Sequence, residues 1–556
     1  MVRSLTTPSR FGAATFDQGD VTDFLSYGEL PPAPAVYDSA GFATGALAYS
    51  MSLAPNQPRT VEIEIPLHRH PPAGDAGTLS AAAARWRSRI PLDAIQVPDS
   101  AVSASAIAQL GWILVDRSGA ALRPGARAYA RTWIRDGALI SAALLRLGRA
   151  DVVRDFIGWF AGYTYASGKV PCCVDERGSD PVPEHDSHGE FIYLVAEYVR
   201  FTGDTTLARA VWPRVAGAAA YLDTLRAQRR TAEWRTRANA PYFGLLPPSI
   251  SHEGYSAKPM HSYWDDLFGL RGYRDAAELA ARLGDRAAAA HWRKSADEFA
   301  RDLGASLRAT MKAHHIDYIP GCADLGDFDA TSTTIALDPV QAEGVLPRDA
   351  LERTFEGYWK FFRDRRDGRE SWDAYTPYEL RTIGAFVRLG WRERADSLLT
   401  FFLDGQRPRG WKQWPEVVWH DARTPRFLGD LPHTWVGSDG LRSILSMLEY
   451  ERESDQSLVL AAGVPERWAR DSTGVGVRAI RTRWGSLTYH LGSEGGGYVV
   501  RIEPGLAPPP GGVRIAAPGV GRNWRAAVNG RSAAISSAGE VVVSTTPAVI
   551  TLLPPR

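Results

Sequence analysis

Four short clusters in this 556-residue chain put acids beside tryptophans or histidines at loops that lead into helices. The first is RTWIRD at 131–136. Asp136 at a helix start reads as an N-cap, but capping alone does not account for Trp133 and Arg135 at the same turn. Arg135 donates, the Asp136 carboxylate accepts, and together they can hold vicinal hydroxyls while Trp133 stacks on a ring. The second is PEHDSHGE at 183–190. Two histidines among carboxylates raise a metal site, yet the spacing matches no common zinc pattern. Capping by Asp186, with Asp186 and His188 lining a polar site, is the preferred reading.

The third cluster is HSYWDD at 261–266, opening an amphipathic helix. One of Asp265 and Asp266 can cap the helix, and the other then faces whatever the loop lines. A carboxyl beside the Trp264 indole is desolvated, which raises its pKa as a general acid requires. His261 belongs to the same lining. The fourth is WKQWPEVVW at 411–419, with His433-Thr434-Trp435 further on. Glu416 sits there among indoles, Trp414 included, a poor setting for a plainly solvated acid. SWDAY at 371–375 is a weaker version that adds Trp372.

Carboxylates on separate loops with tryptophans between them are what glycoside hydrolysis needs: one protonates the leaving oxygen, the other activates water or attacks the anomeric carbon. Other chemistries lack their signatures. There is no G-x-S-x-G elbow and no G-x-x-x-x-G-K-[ST] phosphate loop. Three cysteines, two of them adjacent, build neither a disulfide framework nor a thiolate-rich zinc site, so neither a metal nor a cofactor is expected. Lys+Arg is 64 against Asp+Glu 63, which argues against nucleic acid or a polybasic membrane anchor as partner. No apolar run is long enough to span a bilayer. The first twenty residues lack the apolar core of a signal peptide, although a secreted or periplasmic location fits a chain that begins inside a longer protein. Oligomeric state leaves no trace in the sequence.

These clusters need a scaffold that brings them together. Residues 1–78 read as a β region: TVEIEIPLH at 60–68 alternates, ATGALAYSMSL at 43–53 resembles its neighbouring strand, and APNQP is the turn between them. A Pro/Gly stretch at 70–78 ends it, and residues 79–100 form a linker helix. From 101 to 455 the texture is helical, with helices expected to begin near 101, 136, 150, 186, 205, 262, 285, 331, 347, 375, 391 and 435. Short loops alternate with long Trp/Pro/Asp/His-rich loops at 165–185, 240–262, 312–330 and 405–434. That rhythm predicts six hairpins closed into an (α/α)6 barrel with the long loops at one end. Short strands between Gly/Pro turns at 456–556 predict an antiparallel β-sandwich.

RTWIRD resembles the R-x-W-x-R-D motif of glucoamylases and similar motifs in trehalases and glycogen-debranching glucosidases. Ser262-Tyr263-Trp264-Asp265-Asp266 is similar to the glucoamylase D-L-W-E-E motif, with Asp replacing Glu. Pro415-Glu416 precedes His433-Thr434-Trp435 much as the glucoamylase base precedes L-T-W-S, and GDFDATS at 326–332 resembles the segment before a mid-barrel helix. The likeness covers roughly 105–455. It implies a six-hairpin glycosidase that inverts the anomeric centre, with Asp265 as general acid, Glu416 as general base, and Trp133, Arg135 and Asp136 holding the sugar. Asp186 is the alternative acid. The β flanks look more like bacterial rhamnosidase-like or debranching-like proteins than like fungal glucoamylase, and the short N-terminal β region suits a chain that starts within a longer one. An epimerase using His185, His188, His261 or His433, a polysaccharide lyase, and a non-catalytic carbohydrate-binding protein remain competing readings of the same barrel.

Overall fold

The structure, a computed structural model, describes residues 2–39, 41–65, 77–127, 129–421 and 426–555. It divides into Met1–Trp86 and Arg87–Arg556.

In the first unit Arg10–Ala14 pairs antiparallel with Thr44–Ala48, and Arg3–Ser4 pairs with Ile63–Glu64. The expected partnership of 43–53 with 60–68 is therefore replaced by two separate ladders. Ile63 and Ile65 stay largely exposed, so the alternation there marks no buried face. The end of that expected strand, 66–68, and most of the Pro/Gly stretch, 70–76, lie outside the described residues. A helix follows at Gly77–Arg87. Further on, Ile95–Gln96 is a strand that pairs with Gly476 and Val477 of the C-terminal sheet.

Twelve helices then follow among the described residues; eleven begin within two residues of the expected start, and the tenth begins six residues late, after a 3-10 turn that starts at Pro377. We number them α1 (Ser100–Asp116), α2 (Ile134–Arg146), α3 (Ala150–Ala161), α4 (Asp186–Thr202), α5 (Thr205–Ala227), α6 (Tyr263–Leu283) and α7 (Arg286–His314). The series continues with α8 (Ala330–Thr333, extended by a 3-10 turn at Thr334–Ala336), α9 (Arg348–Arg366), and α10 (Arg381–Arg388, preceded by a 3-10 turn at Pro377–Leu380). It ends with α11 (Arg392–Asp404) and α12 (Thr434–Leu448). Even-numbered helices form the inner ring, packed in the order α2, α4, α6, α8, α10, α12 and back to α2. They are buried almost all round, whereas α3, α9 and α11 bury one face. A helix buried on every side is a core helix, here even though α4 and α6 carry buried acids and arginines.

Close packing of the inner ring is written into its glycines. A Cβ on Gly189 of α4 would meet the Phe268 carbonyl of α6 at 1.9 Å, and one on Gly272 would meet Gly189 itself. Mid-helix glycine costs roughly 1 kcal/mol against alanine. Here it lets two backbones touch. At the far end α12 passes directly into the strand Glu449–Arg452 of the C-terminal domain. That domain has a seven-stranded antiparallel sheet and a four-stranded sheet. In the smaller sheet Ser457–Leu460 and Val513–Ile515 run parallel, an exception to the otherwise antiparallel pairing.

Candidate functional site

Each chemistry-bearing cluster lies where a loop enters the N-terminus of an inner helix. Asp136 is in the first turn of α2, Asp186 opens α4, Asp265 and Asp266 open α6, and His433 caps α12. Parallel inner helices thus deliver all of them to one mouth, with partial positive charge from the helix ends directed at it.

A cleft at this mouth is lined by Trp133, Arg135, Asp136, Glu416, His433 and Trp435, together with Pro124, Tyr129, Glu253 and Tyr378. Glu416 is half-buried. Its Oε2 accepts from the Tyr129 hydroxyl at 2.5 Å and its Oε1 from the Tyr378 hydroxyl at 3.3 Å. Burial raises the Glu416 pKa, and the two phenols pull it back by bonding the carboxylate. Gly429, at φ +66°, leaves the space: a Cβ there would stand 2.0 Å from Glu416 Oε2.

Opposite, Arg135 donates to Glu184 Oε2 at 2.7 Å and stacks over Trp435 at 4.9 Å. Its Nη1 is 3.8 Å from Asp186 and its Nε 3.7 Å from Asp136. Burial, only partly offset by Arg135, pushes the Asp136 carboxyl up to about 8. Trp133 donates from Nε1 to Glu253 at 3.0 Å. Three buried polar atoms of cleft-lining side chains have no hydrogen-bond partner: Asp136 Oδ2, Arg135 Nε and Trp435 Nε1. Buried polar groups are normally paired, so these are places for a ligand's hydroxyls.

Behind the cleft lies a second tier. Asp186 accepts from Trp264 Nε1 at 2.8 Å. Asp265 does not line the cleft; it is sealed beside Asp186, with Oδ2 accepting from Ser249 Oγ at 2.5 Å and Oδ1 unpartnered. Burial and the neighbouring Asp186 push its pKa up to about 8. Asp266 turns the other way and accepts the Leu246 amide at 2.8 Å. His433 is buried, held to about 3 and therefore neutral.

Four expected lining residues sit elsewhere. His188 stacks on Tyr221 of the outer helix α5 at 4.9 Å, because it faces outward from the first turn of α4. His261 is held between Asp324 and the Arg229 guanidinium. Trp372 stacks on His420, and Trp414 is a core residue donating to the Phe402 carbonyl. In exchange the cleft recruits Tyr129, Tyr378 and Glu253. Tyr129 lies four residues before Trp133 in the very segment that carries the first cluster. Glu253 had no local signal beyond its long loop, and Tyr378 lies three residues past the weaker SWDAY cluster.

Among the described residues, Cys172, Cys173 and Asp180 lie close enough to share a metal ion. The Arg131 guanidinium already reaches Cys173 Sγ and Asp180 at 3.5 Å each. A cation in that position does not favour a metal, and no metal is assigned here.

No protein-family model matches the sequence, and no curated protein does. Solved structures do. An α-L-rhamnosidase from Streptomyces avermitilis, in complex with L-rhamnose, superposes with a TM-score of 0.54 at 13% identity, over 83% of this chain and 42% of that one. A GH78 family rhamnosidase of Bacillus sp. GL1 gives 0.52 at 13%, over 74% and 40%. The α-L-rhamnosidase from Dictyoglumus thermophilum gives 0.51 at 10%, over 83% and 51%. The chain thus spans about half or less of the length of these proteins. What it shares with them is the six-hairpin (α/α)6 fold with flanking β domains.

Proposed function

We propose that this barrel is an inverting glycoside hydrolase acting on an oligo- or polysaccharide, closer in its site to the glucoamylase and trehalase group than its overall fold alone requires. The observation that carries the reading is the cleft itself. A glutamate held by two phenols faces buried, unpartnered donors and acceptors of an Arg-Asp pair and an indole. Solved structures of the same fold that are glycosidases support the class.

In this mechanism Trp435 and Trp133 bound the sugar ring, while Arg135 and Asp136 bind adjacent hydroxyls. Glu416 takes a proton from a water as that water attacks the anomeric carbon. Tyr129 and Tyr378 fix the carboxylate, so its basic lone pair points at one place. Asp265, protonated at neutral pH, is the proposed donor to the leaving oxygen as the glycosidic bond breaks; from its sealed position behind the cleft it has to be uncovered, by movement of the loop that carries Ser249, before the proton can pass. Water adds, the alcohol departs, and the anomeric centre inverts.

A histidine-based epimerase is less well served. Of His185, His188, His261 and His433, only His433 reaches the cleft. The test is hydrolysis of α- and β-aryl glycosides and natural oligosaccharides by the parent, Asp265→Asn and Glu416→Gln. Turnover lost in both variants supports the assignment; full activity in Glu416→Gln removes it.

A further inference from the structure

The loop between α5 and α6 sends one side chain into the cleft, Glu253. It differs from its surroundings. Arg135, Asp136, His433 and Trp435 are buried, while Glu253 is exposed. Its backbone adopts φ +66°, and Ser251 just before it adopts φ +54°. Left-handed conformations cost a non-glycine residue of order 1–3 kcal/mol and persist where the surroundings over-determine them.

The surroundings here do so. Ser251 Oγ donates to Ser262 Oγ at 2.9 Å. His252 stacks on Trp264 at 4.6 Å and pairs with Ser332 through Nε2 at 2.9 Å. Tyr255 is buried and donates to Asp327 at 3.0 Å. Ser256 donates from both its amide and its hydroxyl to the Glu253 carbonyl. Ser251, His252 and Tyr255 are thus tied inward, while Glu253 carries its carboxylate to the Trp133 indole N–H at 3.0 Å. The same loop supplies Ser249 to Asp265. No basic side chain forms an ion pair with Glu253 among the described residues.

We infer that Glu253 is a substrate-binding carboxylate that makes the cleft select uncharged, hydroxyl-rich sugars and reject uronic acids. The inference rests on the glycosidase reading for its substrate class. A carboxylate accepts from a sugar hydroxyl at any of its lone pairs. Unpartnered buried atoms of Arg135 and Trp435 in the same cleft supply the complementary donors. A uronate placed there sets its carboxylate against Glu253 at hydrogen-bond distance; Arg135 keeps a free Nε donor for a hydroxyl, but its charge is already offset by Glu184, Asp136 and Asp186. Selection of this kind works by repulsion as much as by attraction.

The experiment is a tryptophan-fluorescence titration with neutral methyl glycosides and the matching methyl glycosiduronic acids, on parent, Glu253→Gln and Glu253→Asp, alongside kinetics on a hydrolysed glycoside. Because Glu253 is exposed, both variants are expected to keep the parent's circular dichroism. The parent should prefer the neutral sugar by about tenfold or more, and Glu253→Gln should narrow that gap to below about threefold. Its KM should rise about tenfold with kcat within about threefold, the signature of lost uniform binding. Glu253→Asp should fall between. An unchanged gap and KM in Glu253→Gln overturns the inference. So does a fall in kcat alone with loss of the alkaline limb, which would make Glu253 the proton donor. If the parent hydrolyses nothing yet shows the gap and its narrowing, the inference stands and the hydrolase reading falls. If the parent binds neither sugar, both fall.

Discussion

The two ends of the barrel both hold acids withdrawn from solvent and treat them in opposite ways. At the base, where the inner helices meet the sandwich, carboxylates are matched to arginines. Arg271 and Arg483 both bond Glu453, at 2.8 and 2.6 Å. Arg388 and Arg442 share Asp338, and Arg146 bridges Glu197 and Glu451. For Asp338, Glu278, Glu453 and Glu197 burial would raise the pKa, but the guanidinium charges win. Asp338 and Glu278 are held down to about 2, and Glu453 and Glu197 also lie low. Glu449, next to Glu451, is an exception and rises to about 8. At the mouth burial wins. Asp136, Asp265, Asp266 and Glu190 all rise, and each has at least one oxygen without a partner. Burial alone therefore does not mark a functional acid. What marks it is burial without neutralisation, a state that costs stability and is retained where chemistry needs a proton donor or a hydroxyl ligand.

The largest effect that would sharpen this contrast is at the mouth. Glu416→Gln should lose about a thousandfold in kcat, because a general base contributes 10²–10⁴-fold, while its melting temperature stays near the parent's. Activity close to the parent's would break the comparison. At the base the effect should fall on stability instead. Glu453→Ala leaves Arg271 and Arg483 short of a partner, and breaking a buried ion pair costs about 3–5 kcal/mol, measurable by urea unfolding.

Asp265→Asn should cost about a hundredfold or more on substrates with poor leaving groups, and far less on activated aryl glycosides that need no proton. Equal losses on both would point to a structural role.

Stability against pH should separate the ends by sign. An acid with a raised folded pKa binds its proton more tightly when folded, so its contribution declines as pH rises from about 4 through about 8. For Asp265, replacement by Asn should therefore raise the unfolding temperature at pH 8 and not at pH 4. An acid with a depressed folded pKa does the reverse. Asp338 stabilises above its unfolded value and loses that stability as pH falls from about 4 to about 2, so Asp338→Asn should destabilise at neutral pH and little at pH 2. The smallest effect is expected from Gly429→Ala. Its Cβ would crowd Glu416 Oε2 and displace the carboxylate, lowering kcat by about tenfold with little change in KM.

The fold was legible because it is encoded locally. Helical periodicity, helix breaks at Thr202-Gly203-Asp204 and Leu283-Gly284-Asp285 and alternating loop lengths mark the six hairpins, and the N-terminal ends of the inner helices carry Asp136, Asp186, Asp265 and His433 to one place. Periodicity does not show which way a loop residue faces. Trp414 and Trp435 stand in similar aromatic-acidic contexts, yet one packs in the core and the other lines the cleft. His188 and Asp186 are two residues apart on one helix, about 200° of rotation, so they face different neighbours. Glu253 was missed for a related reason. Its position depends on a left-handed turn fixed by contacts from two other segments, and no single stretch of sequence contains that information. The strand pairing in the first unit failed similarly, since alternation over 60–68 cannot name a partner.

The most direct test of the central claim is proton NMR of the sugar released from a hydrolysed glycoside, recorded within the first minutes and before mutarotation. An anomer of inverted configuration, absent with Glu416→Gln, is the predicted result. Retained configuration, or unchanged product formation by Glu416→Gln, would contradict the assignment of Glu416 as the base that activates water.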